Sequence, residues 1–154
     1  MALFFALGVT TIKFNDISPG MKFRTANYFM SEESIVRFAS EFDPQPMHLD
    51  HDAAENGPFG QLTASGWQTL SLAMKLMAEA KPLGDTPLVG VGVDEIWFLK
   101  PVFVGTTIYV DAEVLSKRKS SKPGRGFVKM QLHVRDAAHN EAVLSEVWTI
   151  LVPT

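Results

Sequence analysis

The stretch SGWQTLSLAMKLMAEA, residues 65–80, reads as a helix that is apolar almost all round. Leu70, Leu72, Ala73, Met74, Leu76, Met77 and Ala78 leave it no broad polar face. A helix of that kind is covered on most sides rather than laid on a surface. Pro82, Gly84 and Pro87 close it. The rest of the chain after it reads as strand. Ile108, Val110, Ala112 and Val114 alternate with Thr107, Tyr109, Asp111 and Glu113. Val128, Met130, Leu132 and Val134 alternate with Lys129, Gln131, His133 and Arg135. Each such run is a strand with one buried and one wetter face. Leu88–Phe98 and Glu146–Val152 read as two further strands, with turns at Pro101–Gly105, Pro123–Gly126 and Asp136–Asn140.

Upstream of the helix, Asp16–Gly20 is a turn and Lys22–Phe29 a strand. Ser31 caps a helix whose first turn carries Glu32 and Glu33 and whose apolar face is Ile35, Phe38, Ala39 and Phe42. Pro44 and Pro46 end it, and a short helical turn runs from Asp50 to about Gly57-Pro58. The expected fold class is α+β: an antiparallel sheet of about five strands wrapped around one central buried helix.

A chain of 154 residues, 46% hydrophobic and 20% charged, is one globular domain. It buries about two thirds of its unfolded surface and needs no disulfide or metal to hold together. The absence of cysteine excludes disulfides, zinc–thiolate sites, iron–sulfur clusters and thiol nucleophiles, and fits a cytoplasmic protein. A net charge of −3 supplies no basic field for nucleic acid. No segment has the roughly 18 apolar residues of a membrane helix. Met1–Val9 is apolar, but Lys13 follows the run instead of preceding it, so a signal peptide is disfavoured. Residues 1–15 are expected to be an N-terminal arm and residues 16–154 the domain.

Chemistry concentrates in Phe42-Asp43-Pro44-Gln45-Pro46-Met47-His48. An acid and an imidazole lie five positions apart in a loop stiffened by two prolines, which restrict themselves and the residues before them. Asp43 at a helix C-terminus faces the negative end of the helix dipole, so the expectation is a carboxyl that is harder to ionise and more basic. Taken alone, the segment reads more readily as a helix stop with a polar loop behind it.

Phe38-Ala39 with Phe42–His48 and Ala54, then Phe59-Gly60 with Ala64-Ser65-Gly66-Trp67, then Leu99–Gly105, together resemble the MaoC-like dehydratases, the (R)-specific enoyl-CoA hydratases of hotdog fold. The resemblance spans roughly residues 17 to 152. It departs from the family pattern at Phe42, where glycine is usual, at Gln45, where asparagine is usual, and at Ser65, where histidine is frequent. Met74 stands where a hydroxyl residue is expected.

The resemblance implies a hydro-lyase that reversibly hydrates a trans-2-enoyl-CoA to an (R)-3-hydroxyacyl-CoA. Asp43 and His48 are then the catalytic pair holding one water, and Gly66, Ser65 and Gln45 the oxyanion and substrate contacts. Coenzyme A enters only as part of the acyl-CoA substrate. No separate cofactor, metal, nucleic acid or membrane is implied, and a homodimer is. A hotdog acyl-CoA thioesterase and a non-catalytic acyl-CoA-binding module are the rival readings.

His48, Asp50, His51 and Asp52 match no complete metal motif, and Asp50 reads better as a helix cap. Ser65 lacks the Gly-x-Ser-x-Gly elbow, and Gly90-Val91-Gly92 lacks the third glycine and helix of a dinucleotide loop. Lys117, Arg118, Lys119, Lys122 and Arg125 crowd one hairpin. They read either as a solvated tip that blunts edge pairing or, for Lys119, Lys122 and Arg125, as contacts for coenzyme A phosphates. Met74 and Met77 read as core or as walls of an acyl tunnel.

Overall fold

A computed structural model describes the protein from Thr11 to Thr154. The first ten residues of the expected arm lie outside the described residues. The remainder of the arm packs on the domain: a 3-10 turn at Phe14–Asp16 lays the buried Phe14 ring over Gly126, where a Cβ would come within 2.3 Å of it.

Six strands form one antiparallel sheet: β1 (Lys22–Arg24), β2 (Tyr28–Phe29), β3 (Val89–Phe98), β4 (Thr107–Lys119), β5 (Arg125–Asp136) and β6 (Glu141–Pro153). The order is β1-β4-β5-β6-β3, with β2 also on β4. The single strand expected over Lys22–Phe29 is therefore two. Thr25 accounts for the break: its hydroxyl accepts from the Val110 N–H and donates to the Ala26 carbonyl, and the register on β4 slips by one residue between Arg24 and Tyr28. The last strand begins at Glu141, five residues before its apolar run, because the Asp136–Asn140 turn returns the chain directly into pairing with Asp136.

Among the described residues four helices accompany the sheet: α1 (Glu32–Phe42), α2 (Pro46–Leu49), α3 (His51–Glu55) and α4 (Gly66–Ala80). Ser31 caps α1 through Ser34 N–H (3.2 Å), and Asp50 caps α3 through Ala53 N–H (2.8 Å). The α2 turn was expected to be loop. Pro46 starts it, because proline presets φ and lacks the N–H that a first helical residue cannot use.

The core lies between α4 and the inner face of the sheet. Leu72, Ala73, Leu76 and Met77 meet Ile108, Val110, Met130, Leu132 and Leu144 there. The expectation that α4 is covered on most sides is corrected: within one chain only that face is buried. Trp67 stays 60% and Met74 41% exposed. The edge strand β3 next to them is open too, with Val91 at 55% and Trp97 at 65%. The apolar pattern of α4 thus exceeds what its own sheet covers.

Candidate active site

Two converging segments build the site. In the first, α1 stops at Phe42, and Asp43 caps it with its N–H on the Ala39 carbonyl (3.0 Å). The chain turns back at once, Gln45 N–H on Asp43 O at 2.7 Å, and α2 then carries His48 inward. In the second, Thr63 and Ala64 hold an extended course through bonds to Met47 O (3.2 Å) and Val102 O (2.8 Å) and lead into Ser65 and α4.

His48 is buried, and its Nδ1 lies 2.7 Å from the Thr63 carbonyl. A carbonyl only accepts, so Nδ1 carries a proton toward it and Nε2 is the ring nitrogen left for the pair. That Nε2 faces Asp43 Oδ2 at 3.3 Å. Asp43 Oδ2 accepts the Ser65 hydroxyl at 2.6 Å, and Oδ1 accepts the Gln45 amide N–H, also at 2.6 Å. Ser65 Oγ accepts in turn from Trp67 N–H at 3.2 Å.

These donors reverse the expected character of Asp43. The Ser65 hydroxyl holds its carboxyl below the usual carboxylate range; burial opposes this, and the Gln45 amide and His48 act with Ser65. The dipole argument fails because donors in direct contact with a carboxylate outweigh a diffuse partial charge at the helix end.

The pair opens on a cleft of about 350 Å³ walled by Gly66, Trp67, Phe98, Lys100 and Leu144. Gly66 is required by Phe98, since a Cβ there would lie 2.5 Å from the ring. Phe98 reaches it past a bulge in β3 between Asp94 and Trp97, where Glu95 adopts φ 52°. A second, larger pocket of about 760 Å³ adjoins, with Trp67 in the walls of both. Phe38 and Phe42 line it, so half of the apolar face expected for α1 faces this pocket and only Ile35 and Ala39 enter the core.

Asp43, His48, Gln45, Ser65 and Gly66 therefore come together. Both Ser65 and Gln45 spend their side-chain donors on Asp43. Met74 lies in the wall of the larger pocket, and the hydroxyl beside the pair is that of Ser65. Lys119, Lys122 and Arg125 sit at the far end of the sheet. From Arg125 to Val134, the partner of Leu144 in the cleft wall, is nine residues of β5, roughly 30 Å.

Thr63, Phe98 and Lys100 were missed in the sequence, although Lys100 lies inside the Leu99–Gly105 motif. Of the weighed metal ligands, Asp50 caps α3, His51 pairs with Glu32 at 2.7 Å and His139 with Asp136 at 2.9 Å. Among the described residues no three His, Asp or Glu side chains converge. Among the described residues no helix is long and apolar enough to cross a membrane.

Residues 14–135 match the MaoC like domain family. The chain is 37% identical over 107 residues to the uncharacterized protein YdeM of Bacillus subtilis, covering 70% of this chain and 76% of that one. The crystal structure of a MaoC-like dehydratase from Rhodospirillum rubrum superimposes with a TM-score of 0.83 at 32% identity, over 92% of this chain and 97% of that one. The R-hydratase PhaJ1 of Pseudomonas aeruginosa does so at 0.74 and 26%, over 93% and 86%. With the hotdog sheet, the buried helix and the acid–imidazole pair already in place, these matches make the chain a member of the MaoC-like dehydratase family.

Proposed function

We propose that the protein is a hydro-lyase that reversibly hydrates a trans-2-enoyl-CoA to a 3-hydroxyacyl-CoA, with the (R) product. The observation that carries this is His48 Nε2 held 3.3 Å from Asp43 Oδ2, with Nδ1 of the same ring on the Thr63 carbonyl. A water on the cleft side of this pair lies within reach of both groups. Asp43 stays charged and orients the water. As the water oxygen bonds to C3 of the enoyl chain, its proton passes to His48 Nε2 and the π electrons move toward the thioester oxygen. Asp43 stabilises the imidazolium, as a carboxylate does beside a working histidine. The Gly66 N–H at the start of α4 receives the developing oxyanion. The Nε2 proton then goes to C2, and the ring returns to its starting state. The likeness to hydro-lyases supports lyase chemistry on acyl chains, and the apolar pocket behind Trp67 accommodates the chain.

The working unit is a homodimer joined along β3, whose open edge and exposed valines would otherwise template aggregation. Two-fold antiparallel pairing of β3 sets the Val89 end of one copy beside the Phe98 end of the other. The basic hairpin of one copy then lies on the side of the other's cleft, which is where Lys119, Lys122 and Arg125 can meet coenzyme A phosphates.

A panel of enoyl-CoA and acyl-CoA thioesters tests the reading, followed for loss of the conjugated double bond and for free thiol. Loss of the double bond without thiol, unaffected by chelator, is expected. Thiol release alone would replace the hydratase with a thioesterase. A monomer by light scattering at micromolar concentration would remove the dimer.

A further inference from the structure

Glu146 sits on the inner face of β6 at 2% exposure, in the wall of the large pocket. Phe38, Trp67, Leu70, Met74 and Trp148 line the same pocket. Its Oε1 has no hydrogen-bond partner, and it makes no salt bridge, among the described residues. Burial pushes its carboxyl above the usual range, with the Trp148 indole beside it opposing the push. A buried carboxyl oxygen left without a partner is unfavourable unless something completes it, and the proposed proton transfers do not use it.

The position says what that something is. Leu144 belongs to the catalytic cleft, and Glu146 follows two residues along β6, roughly 7 Å further in. Trp67 walls both spaces. A chain with C2 and C3 at Asp43 and His48 passes Trp67 and then runs beside Glu146. A plain hydrocarbon would leave Oε1 orphaned. A hydroxyl, which both donates and accepts, would complete it.

We propose that Glu146 is a specificity-determining residue that hydrogen-bonds a hydroxyl carried on the acyl chain several carbons beyond the reacting double bond. This rests on the acyl-CoA reading above. A site built around such a contact discriminates against the analogue lacking it far more strongly than an apolar pocket discriminates by size.

The test is binding rather than turnover, so it stands apart from whether the protein hydrates anything. A saturated medium-chain acyl-CoA and counterparts with one hydroxyl moved along the chain are titrated against the full-length protein. Quenching of Trp67 and Trp148 fluorescence is the signal. The wild type is expected to bind one hydroxylated counterpart at least about tenfold tighter than the plain chain. Glu146→Leu should abolish that preference and bind the plain chain at least as well as the wild type does. Glu146→Gln, close in shape and able to donate and accept, should retain part of it. Equal binding of plain and hydroxylated chains by the wild type would overturn the proposal. So would a preference that Glu146→Leu and Glu146→Gln both leave intact. Dissociation of a dimer by these substitutions with the preference unchanged would also overturn it, by assigning the carboxyl to a contact between copies.

Discussion

Replacing Asp43 by asparagine separates the two physical pictures of this carboxylate. If the helix dipole governed it, removing the charge would be neutral or slightly stabilising. The geometry says otherwise, because Asp43 accepts from Ser65 and from Gln45 at 2.6 Å each. A hydrogen bond to a charged group contributes about 1.5–3 kcal/mol. Asparagine keeps one acceptor oxygen and turns an NH2 toward the other donor, so the equivalent of one such bond is lost. For a chain of this size each kcal/mol moves Tm by about 2–4 °C, and the variant should melt about 3–12 °C below the wild type at neutral pH. The pH dependence has a definite sign. The carboxyl lies below its ordinary 3.8 when folded, so its stabilisation is present above the unfolded value and is lost as pH falls through the folded one. The gap between wild type and variant should therefore narrow below about pH 4. Hydration turnover should drop at least about a hundredfold. Scanning calorimetry at fixed protein concentration across pH, with a spectrophotometric hydration assay alongside, reads all of this. A level or higher Tm at pH 7 would refute the donor argument, and near-normal turnover would move the chemistry elsewhere.

His48→Ala should cost about 10²–10⁴ in turnover, and Asp43→Asn combined with it should cost much less than the sum of both, since the two act on one water; kcat for the three variants checks this. Gly66→Ala must displace the exposed Phe98 ring into the cleft, so kcat/KM should fall about 10–100-fold while Tm falls little, as calorimetry on the same preparation would show. Changing Lys119, Lys122 and Arg125 to glutamate should raise KM for a coenzyme A thioester and leave a truncated pantetheine thioester unaffected. An unchanged KM would return the hairpin to a solvated tip.

β4 and β5 were legible because apolar and polar residues alternate along them, and α4 because its apolar run is flanked by Ser65 and by Pro82. The break at Thr25 was not, because it depends on a hydroxyl finding the Val110 N–H across the sheet. Asp43 and His48 stood out as a pair, but the sign of the carboxyl's perturbation did not. It is set by Ser65, 22 positions along the chain, which sequence spacing leaves unconnected. Thr63 was invisible for a related reason: it orients His48 through its carbonyl, which every residue has. Glu146 was readable only as one residue of an apolar strand, since its meaning lies in the pocket that α1, α4, β3 and β6 enclose together.

Under the proposed hydration, the hydrogen bonds decide which member of the pair moves the proton. A carboxylate held below its ordinary range by the Ser65 hydroxyl and the Gln45 amide is a weak base at neutral pH. Its remaining acceptor capacity suits it to align a water and to offset positive charge beside it. His48 has the complementary equipment. The Thr63 carbonyl fixes the Nδ1 proton, so Nε2 is the ring nitrogen left to take a proton, and it faces Asp43. Neither group needs to change conformation during the cycle, because each is fixed by a short segment: Asp43 by the α1 stop and the turn after it, His48 by the single turn that Pro46 opens. The departures at Gln45 and Ser65 fall on the two residues that donate to the carboxylate. These two departures therefore act through the charge on Asp43, and their effect should appear in the acid limb of the pH–rate profile before it appears in KM.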